Sequence, residues 1–398
     1  MASFVEKYPA IRTRCRMEYF MNSMDTYIST GRSIKQGLHL QDASIYRNRS
    51  FVKENHHQEL YQMLVLGIES SCDETAAAVV ADGEKLLSNV IASQIGVHSK
   101  YGGIVPEIAS RKHMEAIVPV ILQALEDAGV KLSDIGGIAV TRGPGLVGSL
   151  LVGLSMAKAL AFARKIPFVG VNHLEGHVAA IFLTEQVPEF PFVALVVSGG
   201  HTNVYLVRDF QDFTILGQTR DDAAGEAFDK AAKLLNIGYP GGVVIDRMAK
   251  KGDRNRMAFP RAMKDSPDFS FSGVKTSLLA LLKKQNRPFT EEELPHVVAS
   301  YQEAIVDVLV EKTLNAAQKA GVSRIVICGG VAANSRLRER FVEEGVRRNL
   351  DVFIPPMVLC TDNAAMIAVV GEHLLKRGHR GSLNLNAVSR WPLNSRTA

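Results

Sequence analysis

Two histidines four residues apart, His173 and His177 in the stretch VNHLEGHVAA, open the chemistry of this chain. On a helix, positions i and i+4 share one face, so the pair could bind a single metal ion. In the zinc-protease pattern H-E-x-x-H the glutamate directly follows the first histidine and acts as general base. Here Glu175 stands two positions on, roughly 200° around a helix, and points away from such a metal. That offset excludes the protease arrangement and leaves a metal site standing beside a plainer reading, two surface or capping histidines. A third ligand must come from elsewhere. Asp362, in the turn CTDNAAMIA, is the candidate; its spacing alone reads as an N-cap carboxylate at the start of an Ala-rich helix.

Other segments carry groups suited to a nucleotide. LVLGIESSCDETAAAVVADG is an apolar strand, a polar turn with Asp73 and Glu74, and a second strand. VALVVSGGHTNVYLVRDF repeats that plan, with Val196, Val197, Ser198, Gly199 and Gly200 leading into and through the turn. Turns of this kind bring backbone N–H groups and side-chain oxygens to a phosphate or its metal. In RIVICGGVAANSRLRERF, Gly329 and Gly330 bare the backbone where a flat base could lie, and Asn334 opens a helix. DDAAGEAFDKAAKLL sets Asp222, Glu226 and Asp229 on roughly one helix face. GYPGGVVIDRMA follows it, with Gly241 and Gly242 ahead of Asp246, and together they offer a ribose and phosphate rim. Gly143, Gly145 and Gly148 satisfy G-x-G-x-x-G, but the next strand, IPFVGVNH, lacks the terminal acid a dinucleotide fold uses. That turn therefore approaches a ligand or a neighbouring strand through bare backbone.

The elements that must position these groups are those of an α/β protein. Two similar hairpins about 130 residues apart, each followed by helices and further strands, predict two similar lobes with a cleft between them. The lobes are expected over 63–171 and 172–398, with the last helix returning to the first lobe. With 398 residues the chain can bury two cores. Hydrophobic residues at 46%, charged residues at 22% and a net charge of +5 fit a globular protein without the dense basic tracts of a dedicated nucleic-acid binder. The four cysteines are scattered without a CxxC, which speaks against a disulfide framework or zinc ribbon and for a reducing, cytoplasmic setting. No uninterrupted apolar run reaches the roughly 20 residues of a membrane span, so no membrane partner is expected.

Residues 1–62 show no sustained period, and Met63 begins a clean strand. A transit peptide, a disordered arm and upstream sequence attached by a misplaced start are the alternatives; six acidic residues there count against the first. The misplaced start is the expectation. GDRNRMAFPRAMKD offers Arg254, Arg256, Arg261 and Lys264 with Phe259 interleaved, a phosphate patch with one stacking candidate or a solvated loop. The apolar stripe of 114–129 faces either a partner or the core.

Taken in order, GIESSCDET, YGGIVPEIASRKH, GPGLVGSLLVG, NHLEGH, VSGGHT, GEAFDKAAKLL, YPGG, DFSFSGVKT, GGVAANSRLR and CTDNAAMIA resemble the bacterial tRNA N6-adenosine threonylcarbamoyltransferases, formerly called glycoproteases. The resemblance runs from about Met63 to Trp391. It implies an actin-like fold of the sugar kinase and heat-shock ATPase type. It also implies transfer of a threonylcarbamoyl group from threonylcarbamoyl-AMP to N6 of the adenosine 3′ of the anticodon, in tRNAs reading codons that begin with A. It implies one divalent metal, iron(II) with zinc as the alternative, on His173, His177 and Asp362. The nucleotide side carries over to Val196–Gly200, Asp229, Gly242, Asp246 and Asn334. Asp73 and Glu74 match acids near the phosphate or metal; either could take the proton of the attacking amine, or be structural. Implied partners are tRNA, a paralogous non-catalytic actin-like subunit and a small P-loop ATPase. A sugar kinase or ATPase would use the same hairpins but leave the histidines idle, and a non-catalytic scaffold would not need all three ligands.

Overall fold

The structure, a computed structural model, describes residues 61–393 and the backbone of 44–47. Residues 1–43 and 48–60, where the expectation of an unstructured arm or misplaced start falls, lie outside the described residues.

The chain runs β1 (Ser44–Arg47), β2 (Leu64–Glu69), β3 (Glu74–Ala81), β4 (Lys85–Ser93), α1 (Ile95–His98), α2 (Pro106–Ala128), β5 (Gly137–Gly143), α3 (Val147–Arg164) and β6 (Phe168–Asn172). It continues through α4 (His173–Ala179), β7 (Phe192–Val197), β8 (Thr202–Asp209), β9 (Asp212–Gln218), α5 (Ala224–Leu235), α6 (Gly241–Ala249), α7 (Ser272–Gln285) and α8 (Leu294–Ala320). It closes with β10 (Arg324–Cys328), α9 (Ser335–Arg348), β11 (Asp351–Phe353), α10 (Met357–Cys360) and α11 (Ala364–Lys376).

The strands form two sheets, ordered β1-β4-β3-β2-β5-β6 and β11-β10-β7-β8-β9. Apart from the extra edge strand β1, the orders are the same. A first strand pairs antiparallel with its hairpin partner on one side and parallel with the fourth on the other, as β2 does with β3 and β5, and β7 with β8 and β10. This repeated plan is the two-lobed actin-like fold. The central strands LVLGIE and FVALVV are apolar on both faces because helices cover both faces.

In the first lobe Leu66 and Ile68 face α2 and α3 (Ile117, Val120, Leu154, Leu160), while Val65 faces α11 (Ile367, Val370). In the second, Val193, Leu195 and Val197 face α5 and α8 (Phe228, Tyr301, Ile305), whereas Phe192, Ala194 and Val196 meet Leu174 and Val178 of α4. The connections therefore cross. Helix α4 leaves the first sheet and packs on the second, and α11 leaves the second lobe and packs on the first.

By length and composition α3 is apolar enough to cross a membrane, which the run-length reading of the sequence did not anticipate. It lies instead along the first sheet, with Leu150, Leu154, Ala157 and Leu160 buried. Gly145 ahead of it and Gly148 in its first turn meet protein: a Cβ there would stand 2.6 Å from Ser71 O and 2.4 Å from Ser110 Oγ respectively.

Lys312 of α8, only 8% exposed, donates from Nζ to the carbonyls of Met263, Ser266 and Asp268 at 2.6, 2.7 and 2.6 Å. This holds the loop before α7 against the second lobe. Lys312→Met should lower stability by about 2 kcal/mol, since three carbonyls lose one shared donor. Urea denaturation reads this; a change below about 0.5 kcal/mol would mean that water replaces the ammonium without cost.

Candidate metal centre and nucleotide cleft

The crossing of the two connections is where the histidines and Asp362 meet. Asn172 caps α4, its side-chain oxygen accepting from Leu174 N at 2.9 Å, which fixes the first turn and points His173 and His177 to one side. Their rings lie edge to face, 4.6 Å between centroids. Gly176, between them, lets α11 come close: a Cβ there would stand 2.8 Å from Ile367 Cδ1 and 3.1 Å from Met366 Cγ. The start of α11 is thereby brought beside the histidines.

The N-cap reading of Asp362 gives way at this point. Asn363 caps α11, its Oδ1 accepting from Met366 N at 3.0 Å. Asp362, one residue earlier, is left to face the histidines, with Oδ1 3.5 Å from His173 Nε2 and 3.2 Å from His177 Nε2. One ligand atom from each of the three residues falls within 4.8 Å of the others. His177 is fully buried, yet neither ring nitrogen makes a hydrogen bond. Its 3.2 Å approach to Asp362 is thus close without hydrogen-bond alignment, and a buried polar group without such a bond calls for a further partner. The donor set fits a divalent metal, since two imidazoles and a carboxylate suit iron, zinc or manganese.

Electrostatics agree. Burial disfavours a charged His173, but the carboxylates of Asp362 and Glu69 outweigh it and raise its pKa to about 10. Asp362, itself buried, is held well below the usual carboxylate range by the two histidines. His201, the residue after the Ser198–Gly200 turn, is pushed down to about 4 by burial and by its neighbours His173 and His177. Glu175 lines a small apolar cavity with Phe182, Phe190 and Phe210, where burial raises it to about 8.

Across the cleft, the Ser198–Gly200 turn closes through Ser198 N donating to His201 O at 2.8 Å. Gly199 and Gly200 have open space where a side chain would be, the bareness a phosphate needs. Val196 and Val197 are the buried end of β7 and position this turn rather than line it. Asp229 on α5 accepts from Gly241 N at 2.7 Å, so one oxygen ties down the α6 start, where Gly242 sits. Asp246 on α6 accepts from Ser335 N and Oγ at 3.1 and 2.8 Å. Asn334 caps α9 through Leu337 N at 3.0 Å, and its amide nitrogen donates to Gln302 at 2.8 Å. Asp229, Gly242, Asp246 and Asn334 are thus joined into one framed wall.

On the first-lobe side Asp73 and Glu74 share a hydrogen bond; burial raises both pKa values, and beside Asp73 that of Glu74 is pushed well up. The Tyr239 phenol is pushed up by burial and by Asp73, Asp229 and Glu74 nearby.

Three expectations change. Phe259 is buried in the second-lobe core, edge-on to Tyr301 at 5.4 Å, because an aromatic flanked by apolar neighbours is worth more inside than as a stacking platform. Arg261 is committed to Asp307 at 2.7 Å, leaving Arg254, Arg256 and Lys264 exposed. Asp222 and Glu226 are drawn to Lys230, at 2.7 and 2.8 Å, and away from the rim. Residue spacing also missed Gly176 and His201, which sit inside or beside the site's own segments, and Glu69 and Tyr239, which the tertiary fold brings in; Glu69 ends a strand that reads as core.

Comparison with known proteins agrees with this architecture. Residues 85–369 match the family described as TsaD, tRNA N6-adenosine threonylcarbamoyltransferase. Among the relatives is a protein of that name from Syntrophus aciditrophicus, 76% identical over 332 residues, covering 83% of this chain and 98% of the relative. Another, from Syntrophotalea carbinolica, is 56% identical over 334 residues, covering 83% and 97%. A crystal structure of full-length HypF in a phosphate- and nucleotide-bound form superposes with a TM-score of 0.54 at 12% identity, over 80% of this chain and 56% of that one. The chain spans only about half of that longer protein, and the likeness is one of fold. The chain belongs to the family of tRNA N6-adenosine threonylcarbamoyltransferases.

Proposed function

We propose that this chain transfers the threonylcarbamoyl group from threonylcarbamoyl-AMP to N6 of the adenosine 3′ of the anticodon, in tRNAs reading codons that begin with A. One observation carries the reading: the cluster of His173, His177 and Asp362 lies beside His201, which directly follows the bare Ser198–Gly200 turn. A kinase would have no use for the histidines.

His173, His177 and Asp362 would hold one divalent metal, iron(II) with zinc as the alternative. Such a metal supplies a Lewis acid toward a carbonyl oxygen. The donor is a mixed anhydride, already activated, so the protein need only position it and steady the charge that develops. The turn N–H groups meet the phosphate of the leaving AMP, and the carboxylates of Asp229 and Asp246 suit the ribose hydroxyls. As the N6 nitrogen bonds to the carbamoyl carbon, the carbon–oxygen bond to phosphate breaks. The amine proton passes to Asp73 or Glu74; the two share a hydrogen bond, so one of them already holds a proton and the ionised one accepts.

The same reading assigns residues 63–171 and 172–398 to the two lobes and places the protein in the cytoplasm. Exposed Arg254, Arg256 and Lys264 suit tRNA phosphates. For the paralogous actin-like subunit, the support is four exposed apolar side chains, one on α2 and three on α3. Met114 and Phe162 are 62% and 60% exposed, with Val147 and Leu151 also exposed. The small P-loop ATPase completes the assembly.

The deciding experiment is transfer of labelled threonine into tRNA, with a threonylcarbamoyl-AMP source and the partner proteins present. Label that requires this chain is expected. Phosphoryl transfer to a sugar with no label in tRNA would overturn the reading.

A further inference from the structure

The metal cluster has a fourth member that no ligand count includes. Glu69, at the end of β2 in the centre of the first sheet, is completely buried. Its Oε2 lies 3.0 Å from His173 Nδ1, the ring nitrogen that faces away from His177 and Asp362. Both carboxylate oxygens are fixed. Thr141 Oγ1 on β5 donates to Oε2 at 2.6 Å, and Ser71 N donates to Oε1 at 2.5 Å. Ser71 Oγ is also 3.3 Å from His173 Nδ1.

An ionised carboxylate can only accept, so with Glu69 in that state the proton between it and the ring belongs to His173 Nδ1. A metal that displaces the other ring proton would then meet the lone pair on Nε2, the nitrogen 3.5 Å from Asp362. A buried carboxylate costs free energy unless well satisfied, and Glu69 meets that condition with donors on three sides. Metal-bound histidines recurrently show this arrangement, in which an outer carboxylate sets the tautomer and raises ligand basicity.

We propose that Glu69 is a positioning residue for the metal centre. It holds His173 as the Nδ1–H tautomer, aims Nε2 at the ion, and adds a second buried negative charge behind the ligand set that favours a dication. The inference rests on the metal-site reading above. Its reach is large for one side chain because β2 is also the strand against which α11 is packed. The residue that orients His173 therefore sits on the scaffold that locates Asp362.

The test is metal affinity, read apart from activity. Zinc(II) and cobalt(II) dissociation constants would be measured by chelator competition for the full chain, Glu69→Gln and His177→Ala. Wild type is expected to bind one ion, and Glu69→Gln to bind about 10- to 100-fold more weakly with an altered cobalt visible spectrum. Equal constants and spectra for wild type and Glu69→Gln, with His177→Ala defective, would overturn the proposal and leave the metal site intact. No binding by wild type would instead remove the metal-site reading itself. If Glu69→Gln does not fold, nitrogen-15 imidazole spectra of the zinc-loaded wild type decide. A proton on Nδ1 of His173 is expected, and a proton on Nε2 would overturn the assignment.

Discussion

His177→Ala should lose its metal and slow threonylcarbamoyl transfer on the order of a thousand-fold, about 4 kcal/mol of barrier, while the metal-free protein should melt nearly as wild type does. The first half follows from ligand arithmetic. Losing an outer partner of a ligand weakens metal binding 10- to 100-fold, so losing one of only three protein ligands should exceed about 100-fold. The second half follows from burial. The ring is fully enclosed and neither nitrogen makes a hydrogen bond, although Nε2 stands 3.2 Å from Asp362, so it already carries part of its desolvation cost in the metal-free fold. Removing it relieves roughly the 1–3 kcal/mol of an unmade buried hydrogen bond, which offsets much of the packing lost. A structural histidine would behave oppositely, with an unchanged metal constant and a lowered melting point. Elemental analysis after dialysis, chelator competition and labelled-threonine incorporation separate these outcomes. Full occupancy with an unchanged constant would take His177 out of the ligand set.

Helix periodicity makes the pairing of His173 with His177 legible, because both lie on one short element. Asp362 is not legible in that way. Thr361-Asp362-Asn363 offers two adjacent capping candidates, and only the structure shows Asn363 taking Met366 N and leaving Asp362 free. The two similar lobes follow from the repeated hairpins, since an apolar strand, a polar turn and a second strand leave a strong local pattern. The crossing of α4 and α11 has no local pattern, yet that crossing builds the site. Phe259 shows the limit of reading a loop by its charges: the arginines around it suggest a surface, but the ring pays no desolvation cost and goes inside. Glu69 was hidden by the same logic in reverse. Five apolar or glycine residues precede it in LVLGIE, and a carboxylate there makes sense only when Thr141, Ser71 and His173 arrive from distant positions.

Gly67→Ala should damage the first lobe strongly, costing about 3 kcal/mol. Gly67 lies mid-way along β2, and a Cβ there would stand 2.1 Å from Ala364 O and 3.0 Å from Ala368 Cβ. The nearest obstacle is a backbone oxygen in the first turn of α11, which cannot swing aside as a side-chain tip can. Neither partner yields easily. Strand β2 is held by β3 and β5, and α11 is packed along its length, with Gly371 against Ala139. The helix start must therefore lift, and Asp362 is two residues before Ala364. Stability and metal affinity should fall together in this variant, although the new methyl touches no ligand. Gly273→Ala is the contrast: it sits in α7 with nothing within 4 Å, and alanine there should stabilise by roughly 0.5–1 kcal/mol without moving the metal constant. Urea midpoints and chelator competition on both variants provide the check. A Gly67→Ala protein with lowered stability but wild-type metal affinity would show that Asp362 is held by its own turn through Asn363, not by the seating of α11 on the sheet.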